Sequence, residues 1–237
     1  MKIVDKSGKR VDGKASNKAI KKQLKETDPI IRNAEKGDIE ELSPMDPPSG
    51  FDEERVIGVD YENFHESLKE FCDEHKEAHA VCERFEAALN DFKKGGYYIT
   101  TEINDAFNEF FVAFDEEVMP HNRKEEKGLF IILQEKLLAS GEHSVGDEKH
   151  TPVDLMEDEH IKMIQLASLT FNMLGLAMRL KDEVDIAMTF DLAYHKGMEL
   201  VEMLKLHIFR EDNTIFPLAQ KLLTEEEFEK FYNGQHH

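Results

Sequence analysis

The chain has 237 residues, of which 40% are hydrophobic and 34% are charged, and its formal net charge at pH 7 is −20. This length and apolar content allow one domain with a buried core and short appendages. The strong negative charge opposes binding to nucleic acid and to anionic membrane surfaces, and it favours binding of cations.

Targeting signals and disulfides are not predicted. No stretch approaches the roughly 20 apolar residues of a membrane span, and the opening MKIVDKSGKR has no apolar run of signal-peptide length. We therefore expect a cytoplasmic protein. The two cysteines, Cys72 and Cys82, lie in one predicted helix at a separation that a disulfide cannot bridge.

The N-terminal residues differ in composition from the rest. Residues 1–48 contain 11 Lys/Arg and 9 Asp/Glu, a local charge of +2 that leaves −22 on the remainder. The stretch ELSPMDPPSGFD then marks a boundary, because it is rich in turn-forming residues. We interpret residues 1–50 as an N-terminal arm or linker, with a short helix after Ser16, and residues 51–237 as the folded domain.

Four long helical patterns follow from Tyr61, separated by KKGGYYIT, ASGEHSVGDEKHTP and RLKDEVD, and no segment has the pattern of a strand. The first pattern has a core-facing stripe with steps of four and three residues. This stripe comprises Phe64, Leu68, Phe71, His75, Ala78, Cys82, Phe85 and Leu89. His75 should therefore point into the core.

The second pattern carries a histidine and a glutamate inside an apolar stripe. It comprises Ile103, Phe107, Phe110, Phe114, Val118, His121, Glu125, Leu129 and Ile132. Pro120 immediately precedes His121, removes one backbone donor and predicts a kink there.

The third and fourth patterns complete the bundle. The third stripe comprises Met156, His160, Met163, Ala167, Phe171, Leu174 and Met178, and the fourth comprises Gly197, Val201, Leu204, Ile208, Glu211 and Ile215, with His207 on its flank. After Thr224, the sequence TEEE offers a capping box for a short fifth helix. The predicted fold is all-α, an up-down-up-down four-helix bundle with an N-terminal arm and a short C-terminal helix.

The two halves of the domain repeat one motif. HNRKEEKGLF at 121–130 recurs as HIFREDNTIF at 207–216, and DEH at 73–75 recurs at 158–160. Each half then predicts a helical hairpin with one histidine on its first helix and a His-x-x-x-Glu pair on its second. Six polar groups converge in one core: His75, His121, Glu125, His160, His207 and Glu211.

Such a set of buried polar groups predicts a metal site. A pair of divalent cations satisfies all six directly, whereas a purely polar network would need a partner for every member. Imidazole with carboxylate suits Fe, Mn or Zn better than Ca or Mg. His195 and Glu199 have the same spacing, but they lie on the opposite side of the fourth helix from Leu204, so we expect His195 to be solvent-exposed.

These motifs resemble the hemerythrin-like HHE cation-binding domain, whose signature is an EH helix followed by H-x-x-x-E, both then repeated. The likeness covers about residues 60–232, including HIFREDNTIFPLAQKLLTEEEF. The resemblance implies a non-haem di-iron centre with an Fe–O–Fe or Fe–OH–Fe core, for which Mn or Zn would be the alternative metals. Its implied ligands are His75, His121, His160 and His207, with Glu125 and Glu211 bridging the ions.

Two positions leave the ligand set open. Oxygen-carrying hemerythrins have His-x-x-x-His on the third helix, where this chain has His160 and then Ile164. His79, one turn after His75, could supply the missing ligand from the other half, and we include it in the predicted set. Asp212 is a rival to Glu211 as the second bridge, but Glu211 matches Glu125 in the other half.

The resemblance implies a site that binds or reacts with dioxygen, for binding, storage or sensing. One alternative is a di-iron protein that handles peroxide, nitric oxide or iron for iron-sulfur cluster repair, although residues 1–60 contain no Cys, unlike the N-terminal domain often attached to such relatives. Another is an iron- or oxygen-dependent regulatory interaction module. Whether the protein is an enzyme is left open; small ligands are expected as partners, and nucleic acid and membranes are not.

Overall fold

All regular secondary structure in the described part of the chain is helical. The computed structural model describes residues 59–141 and 150–235, with side chains as far as residue 232. The prediction of an all-α bundle is confirmed, while the N-terminal arm and the helix after Ser16 lie outside the described residues. Within those two ranges, no helix combines the length and the apolar character needed to cross a membrane.

Residues 59–141 and 150–235 form five successive helices, and two of these are interrupted by π-helical turns. A 3₁₀ turn at Tyr61–Asn63 precedes helix α1, which spans Glu66–Lys94. Helix α2 runs through Thr101–Ala113, the π segment Phe114–Val118, Met119–Lys124, the π segment Glu125–Leu129, and Phe130–Ser140. Helix α3 spans Pro152–Ala177, and helix α4 runs through Glu183–Arg210, the π segment Glu211–Ile215, and Phe216–Leu222; helix α5 spans Glu225–Gln235.

The first four helices pack as two hairpins. Helix α1 packs against α2 and α4, and α3 packs against α4. Phe111 of α2 meets Phe171 of α3 edge-on, with ring centroids 5.1 Å apart, and this contact closes the ring of four helices. Helix α5 packs beside the π segment Glu125–Leu129, so it covers the bundle near the polar core residues.

Side-chain caps fix the helix starts where the sequence predicted breaks. Thr151 and Asp154 form a capping box at the start of α3, and the Asp182 carboxylate accepts hydrogen bonds from two backbone amides at the start of α4. At the start of α5, the backbone amide of Thr224 donates a hydrogen bond to the Glu227 carboxylate, with a donor–acceptor distance of 2.9 Å. Each cap satisfies amides that the first helical turn leaves unpaired, which stabilises the boundary.

The core contains most of the predicted stripe, with two errors in helical phase. On α2, Ile132 is only half-buried and Leu133 is fully buried, because the π segment at Glu125–Leu129 inserts one residue and rotates the later part of the helix. On α3, Phe171 is 59% exposed, and Met178, which directly follows the helix, is 68% exposed, so the prediction was wrong there. The stripe instead continues from Ala167 through Thr170, Leu174 and Ala177, since a helix of 3.6 residues per turn mixes three- and four-residue steps.

The close approach of α4 to its neighbours depends on Gly197. A Cβ atom there would lie 2.9 Å from Leu89 Cδ1 and 3.4 Å from Thr170 Cγ2, whereas a Cβ at Gly175 would meet nothing within 4 Å. We expect Gly175→Ala to raise the free energy of unfolding by about 0.5–1 kcal/mol through helix propensity. Gly197→Ala should be less stable than Gly175→Ala by about 1–2 kcal/mol because of overpacking.

Urea denaturation of the two variants, read by circular dichroism, measures this difference. Equal stabilisation by both substitutions would show that Leu89 moves aside without cost and that the helix contact at Gly197 is not tight.

Candidate metal centre

The first half of the polar core joins α1 to α2. His75 Nε2 lies 3.0 Å from His121 Nε2. Glu211 Oε2 lies 3.2 Å from His75 Nε2, and Glu125 Oε1 lies 3.4 Å from His121 Nε2. One ligand atom from each of these four residues falls within 4.8 Å of all the others, which is close enough for a single cation to contact all four.

The second half repeats this arrangement between α3 and α4. His160 Nε2 lies 3.0 Å from His207 Nε2. Glu211 Oε1 lies 3.1 Å from His207 Nε2, and Glu125 Oε2 lies 3.5 Å from His160 Nε2. Glu125 and Glu211 therefore belong to both groups, and each carboxylate presents one oxygen to each histidine pair. This is the placement that two bridging carboxylates require.

Both shared glutamates begin a π-helical segment. Glu125 starts Glu125–Leu129, and Glu211 starts Glu211–Ile215. The extra residue places the following phenylalanine against the opposite hairpin: Phe130 stacks on His160 with centroids 5.8 Å apart, and Phe216 stacks on His75 at 5.4 Å. The Phe that ends each copy of the repeated motif thus packs against a core imidazole of the other half.

A second layer of carboxylates holds the outer nitrogen of every core histidine. Glu74 contacts His121 Nδ1 at 2.7 Å, and Asp212 contacts His75 Nδ1 at 2.8 Å. In the other half, Glu126 contacts His160 Nδ1 at 2.8 Å and Glu159 contacts His207 Nδ1 at 3.1 Å. An ionised carboxylate only accepts hydrogen bonds, so each Nδ1 donates, and each neutral imidazole turns the lone pair of Nε2 towards the centre.

Basic residues complete this outer layer symmetrically. Lys124 Nζ lies 2.5 Å from Glu74 Oε1, and Arg210 donates to Glu159. Lys124 and Arg210 each precede a shared glutamate in the sequence, as Glu74 and Glu159 each precede a core histidine. These side chains orient the carboxylates that in turn orient the imidazoles.

The inner groups are poorly satisfied by the protein alone. Glu125 and Glu211 are completely buried, and all four of their carboxylate oxygens lack a hydrogen-bond partner among the described residues. If all four imidazoles were neutral with the proton on Nδ1, two Nε2 lone pairs would also face one another at 3.0 Å in each half. Buried charge without a partner is costly, and facing lone pairs repel. A divalent cation in each group would accept these lone pairs and neutralise both carboxylates, so the donor set fits two metal ions.

Without cations, protons provide the compensating charge. Burial lowers the pKa of His75, but the nearby carboxylates of Asp212 and Glu211 outweigh burial and raise it to about 10. Burial also lowers the pKa values of His207 and His121, and again nearby carboxylates outweigh it. Glu211 helps to raise the pKa of His207 to about 10, and Glu125 helps to raise that of His121 to about 9. The metal-free core is therefore expected to contain imidazolium ions at neutral pH.

The structure brings six of the seven sequence-predicted ligands together. His79 lies outside both groups, with its side chain 45% exposed and its Nδ1 3.8 Å from Glu83. Asp212 contacts the outer face of His75, and Glu211 occupies the shared inner position. His195 is 58% exposed, as predicted from its helical phase.

Sequence reasoning missed the outer layer of Glu74, Glu126 and Glu159 with Lys124 and Arg210. The signal was present, because each of these residues adjoins a core ligand in the repeated motifs. The sequence predicted a kink at Pro120. Near this residue the structure has a π-helical interruption of α2, because the π segment Phe114–Val118 ends two residues before the proline.

Comparison with known families agrees with this geometry. The profile of the Hemerythrin HHE cation binding domain matches residues 66–219, which is more than half of the chain. The chain belongs to this family. Searches of curated proteins and of solved structures found no significant match.

Substitution of single histidines should separate core ligands from surface residues. We expect His121→Ala and His207→Ala to lose at least one of two bound metals per chain, because each removes a nitrogen of one group. His195→Ala and His79→Ala should keep both metals, because neither side chain reaches the groups. Elemental analysis of the purified variants measures this; loss of metal in His79→Ala would place that residue among the ligands.

Metal loading should release protons. Since the pKa values of His75, His121 and His207 are raised above 6.5 to about 9–10, we expect protonated imidazoles at pH 7.5, which must lose a proton before Nε2 can bind a cation. We expect release of about two to three protons per chain on addition of two equivalents of anaerobic Fe²⁺, measured with an indicator dye. Release of no protons would show that the imidazoles are neutral in the metal-free protein.

The same shifts give a pH dependence for the metal-free protein. A raised histidine pKa contributes stability that is full below about 6.5 and is lost as pH rises through about 9–10. The metal-free protein should therefore unfold at a lower temperature at pH 10 than at pH 7. Thermal unfolding followed by circular dichroism measures this difference. Equal melting temperatures would contradict imidazolium in the core.

Proposed function

Because the chain belongs to a family of cation-binding domains, we propose that it holds two iron ions in the bundle core and that this centre reacts with dioxygen. The observation that carries the proposal is the position of Glu125 and Glu211, each shared by both histidine pairs. Two bridging carboxylates and four imidazoles suit iron, and neither Cys72 nor Cys82 belongs to the groups. A bound pair of irons would supply redox chemistry towards a small molecule.

The charge around the core supports two divalent cations. The two shared glutamates and the four outer carboxylates are accompanied by Lys124 and Arg210. With all six acids ionised and the imidazoles neutral, this set carries −4, which two divalent ions balance. In a buried site this balance matters, because net charge that remains uncompensated is strongly unfavourable there.

Access to the core is suited to a small ligand. A cavity of about 260 Å³ is lined by His75, His121, His207 and Glu211 and by residues of α1, α2 and α4. A cavity of this size lies below the usual range for drug-sized ligands, and it is large enough for a diatomic molecule or peroxide. The protein's contribution is to shape this entry and to hold the imidazoles and carboxylates in place.

A second candidate function is handling of peroxide, nitric oxide or iron for iron-sulfur cluster repair. The position of His79 favours it, because four histidines and two carboxylates leave more open coordination positions than a seven-ligand set. The regulatory alternative, in which the occupied centre controls a protein interaction, depends on an output surface and stays a prediction.

Iron content and oxygen reactivity test the proposal together. Protein from iron-replete medium should contain about two irons per chain by elemental analysis. Anaerobically reduced protein should convert on addition of oxygen to a stable diferric spectrum that does not reverse when oxygen is removed, because open positions on both irons favour oxidation. No metal, or one zinc per chain, would refute the di-iron centre; a fully reversible absorption band would instead support oxygen storage or transport.

A further inference from the structure

Helix α3 has an apolar stripe on its outer surface, in addition to the stripe that it buries. The outer stripe has alternating three- and four-residue steps, which is the spacing of a coiled-coil seam, and each of its members is exposed among the described residues. We call this stripe the outer seam; it comprises Ile161, Ile164, Ser168, Phe171, Gly175 and Met178. Phe171 and Met178 are 59% and 68% exposed, so the outer seam leaves large apolar side chains uncovered by the described residues.

The internal repeat provides a control for this surface. Helix α1 is the counterpart of α3, because DEH at 73–75 recurs at 158–160 and aligns the two helices. The six positions of α1 that correspond to the outer seam are all polar: Lys76, His79, Glu83, Glu86, Asn90 and Lys93. Since the two helices hold equivalent places in the repeat, the described fold does not account for the apolar outer surface of α3.

This part of α3 also carries no charge. Residues 163–178 contain no Asp, Glu, Lys or Arg, whereas 34% of the residues in the chain are charged and its formal net charge is −20. Two copies of so acidic a chain repel one another, and an uncharged surface lets them approach with the least repulsion. The outer seam is therefore suited to contact with a second copy.

Gly175 indicates that another helix comes close. A glycine inside a helix is destabilising relative to alanine, and a Cβ atom at Gly175 would meet nothing within 4 Å. Packing between described residues therefore gives no reason for a glycine at this position. An exposed seam position without a side chain forms a hole into which a large side chain of a second helix can insert.

The outer seam is complementary to itself when two copies run antiparallel. About a two-fold axis midway between Ser168 and Phe171, Ser168 of each copy faces Phe171 of the other, and Ile164 faces Gly175. Large residues then lie opposite small ones along the seam. A parallel pairing would instead place Phe171 against Phe171 and would bring together two copies of Glu157, which lies one seam step before Ile161.

We propose that a second copy of this chain docks on the outer seam, so that the two α3 helices pair antiparallel about a two-fold axis. The seam is short, and an interface of small area is typical of a weak dimer that dissociates on dilution. The inference does not rest on the proposed di-iron function.

Sedimentation velocity of the full chain over a range of concentrations tests the pairing. The wild type should convert from monomer to dimer as its concentration rises. Gly175→Leu should raise the dissociation constant at least about tenfold, because the new side chain fills the space that Ile164 of the other copy would occupy. The control is Leu192→Glu, a change at an exposed apolar position of α4, which should associate like the wild type.

Gly175→Leu separates specific pairing from general apolar attraction. Leucine favours the helix and meets open space within the described chain, so the melting temperature of the variant should not fall. The substitution makes the surface more apolar, so association that is as tight as in the wild type, or tighter, overturns the inference. A wild-type protein that stays monomeric at every soluble concentration overturns it as well, whichever other segment or protein then covers the seam.

Disulfide trapping tests the direction of the pairing. A mixture of Ile164→Cys and Gly175→Cys should form a covalent dimer under mild oxidation, and neither variant alone should do so, because only the mixed pair lies face to face. Cys72 and Cys82 are buried and should not compete. Absence of the mixed product, or crosslinking of Ile164→Cys alone, overturns the antiparallel pairing.

Discussion

Two carboxylates lie at the centre of this bundle with no exposed surface and with no hydrogen-bond partner in the part of the chain that the structure describes. Glu125 and Glu211 lie between two histidine pairs, where burial without compensation would be strongly destabilising. Protons on the imidazoles or cations between them can supply the missing charge. The buried carboxylates of Glu125 and Glu211 therefore require positive charge beside them. This requirement explains why the four core histidines surround them.

The outer carboxylates connect the four helices into a closed circuit. Glu74 of α1 holds His121 of α2, and Glu126 of α2 holds His160 of α3. Glu159 of α3 holds His207 of α4, and Asp212 of α4 returns to His75 of α1. Each helix thus provides one imidazole and one carboxylate that orients the imidazole of the next helix. Rotation of any helix would misalign two histidines, its own and that of its neighbour.

Helical spacing and the internal repeat were sufficient to predict the bundle and the six core residues. Spacing assumes a uniform helix, however, and the π segments change the phase. That is why Ile132 was assigned to the core in place of Leu133. His79 was included because it lies one turn from His75, but its half-exposed side chain lies outside both groups. The outer carboxylates could be inferred only from the repeat, since an acid beside a histidine is common in so acidic a chain.

The sharing of Glu125 and Glu211 would couple the binding of two cations thermodynamically. A first cation held by both carboxylates would order them and reduce the repulsion between them, so a second would bind to side chains that are already in place. The entropy lost in ordering the bridges is incurred once for two binding events, which favours positive cooperativity. Limited metal supply would then divide the population into fully loaded and empty bundles, with few chains that hold a single ion.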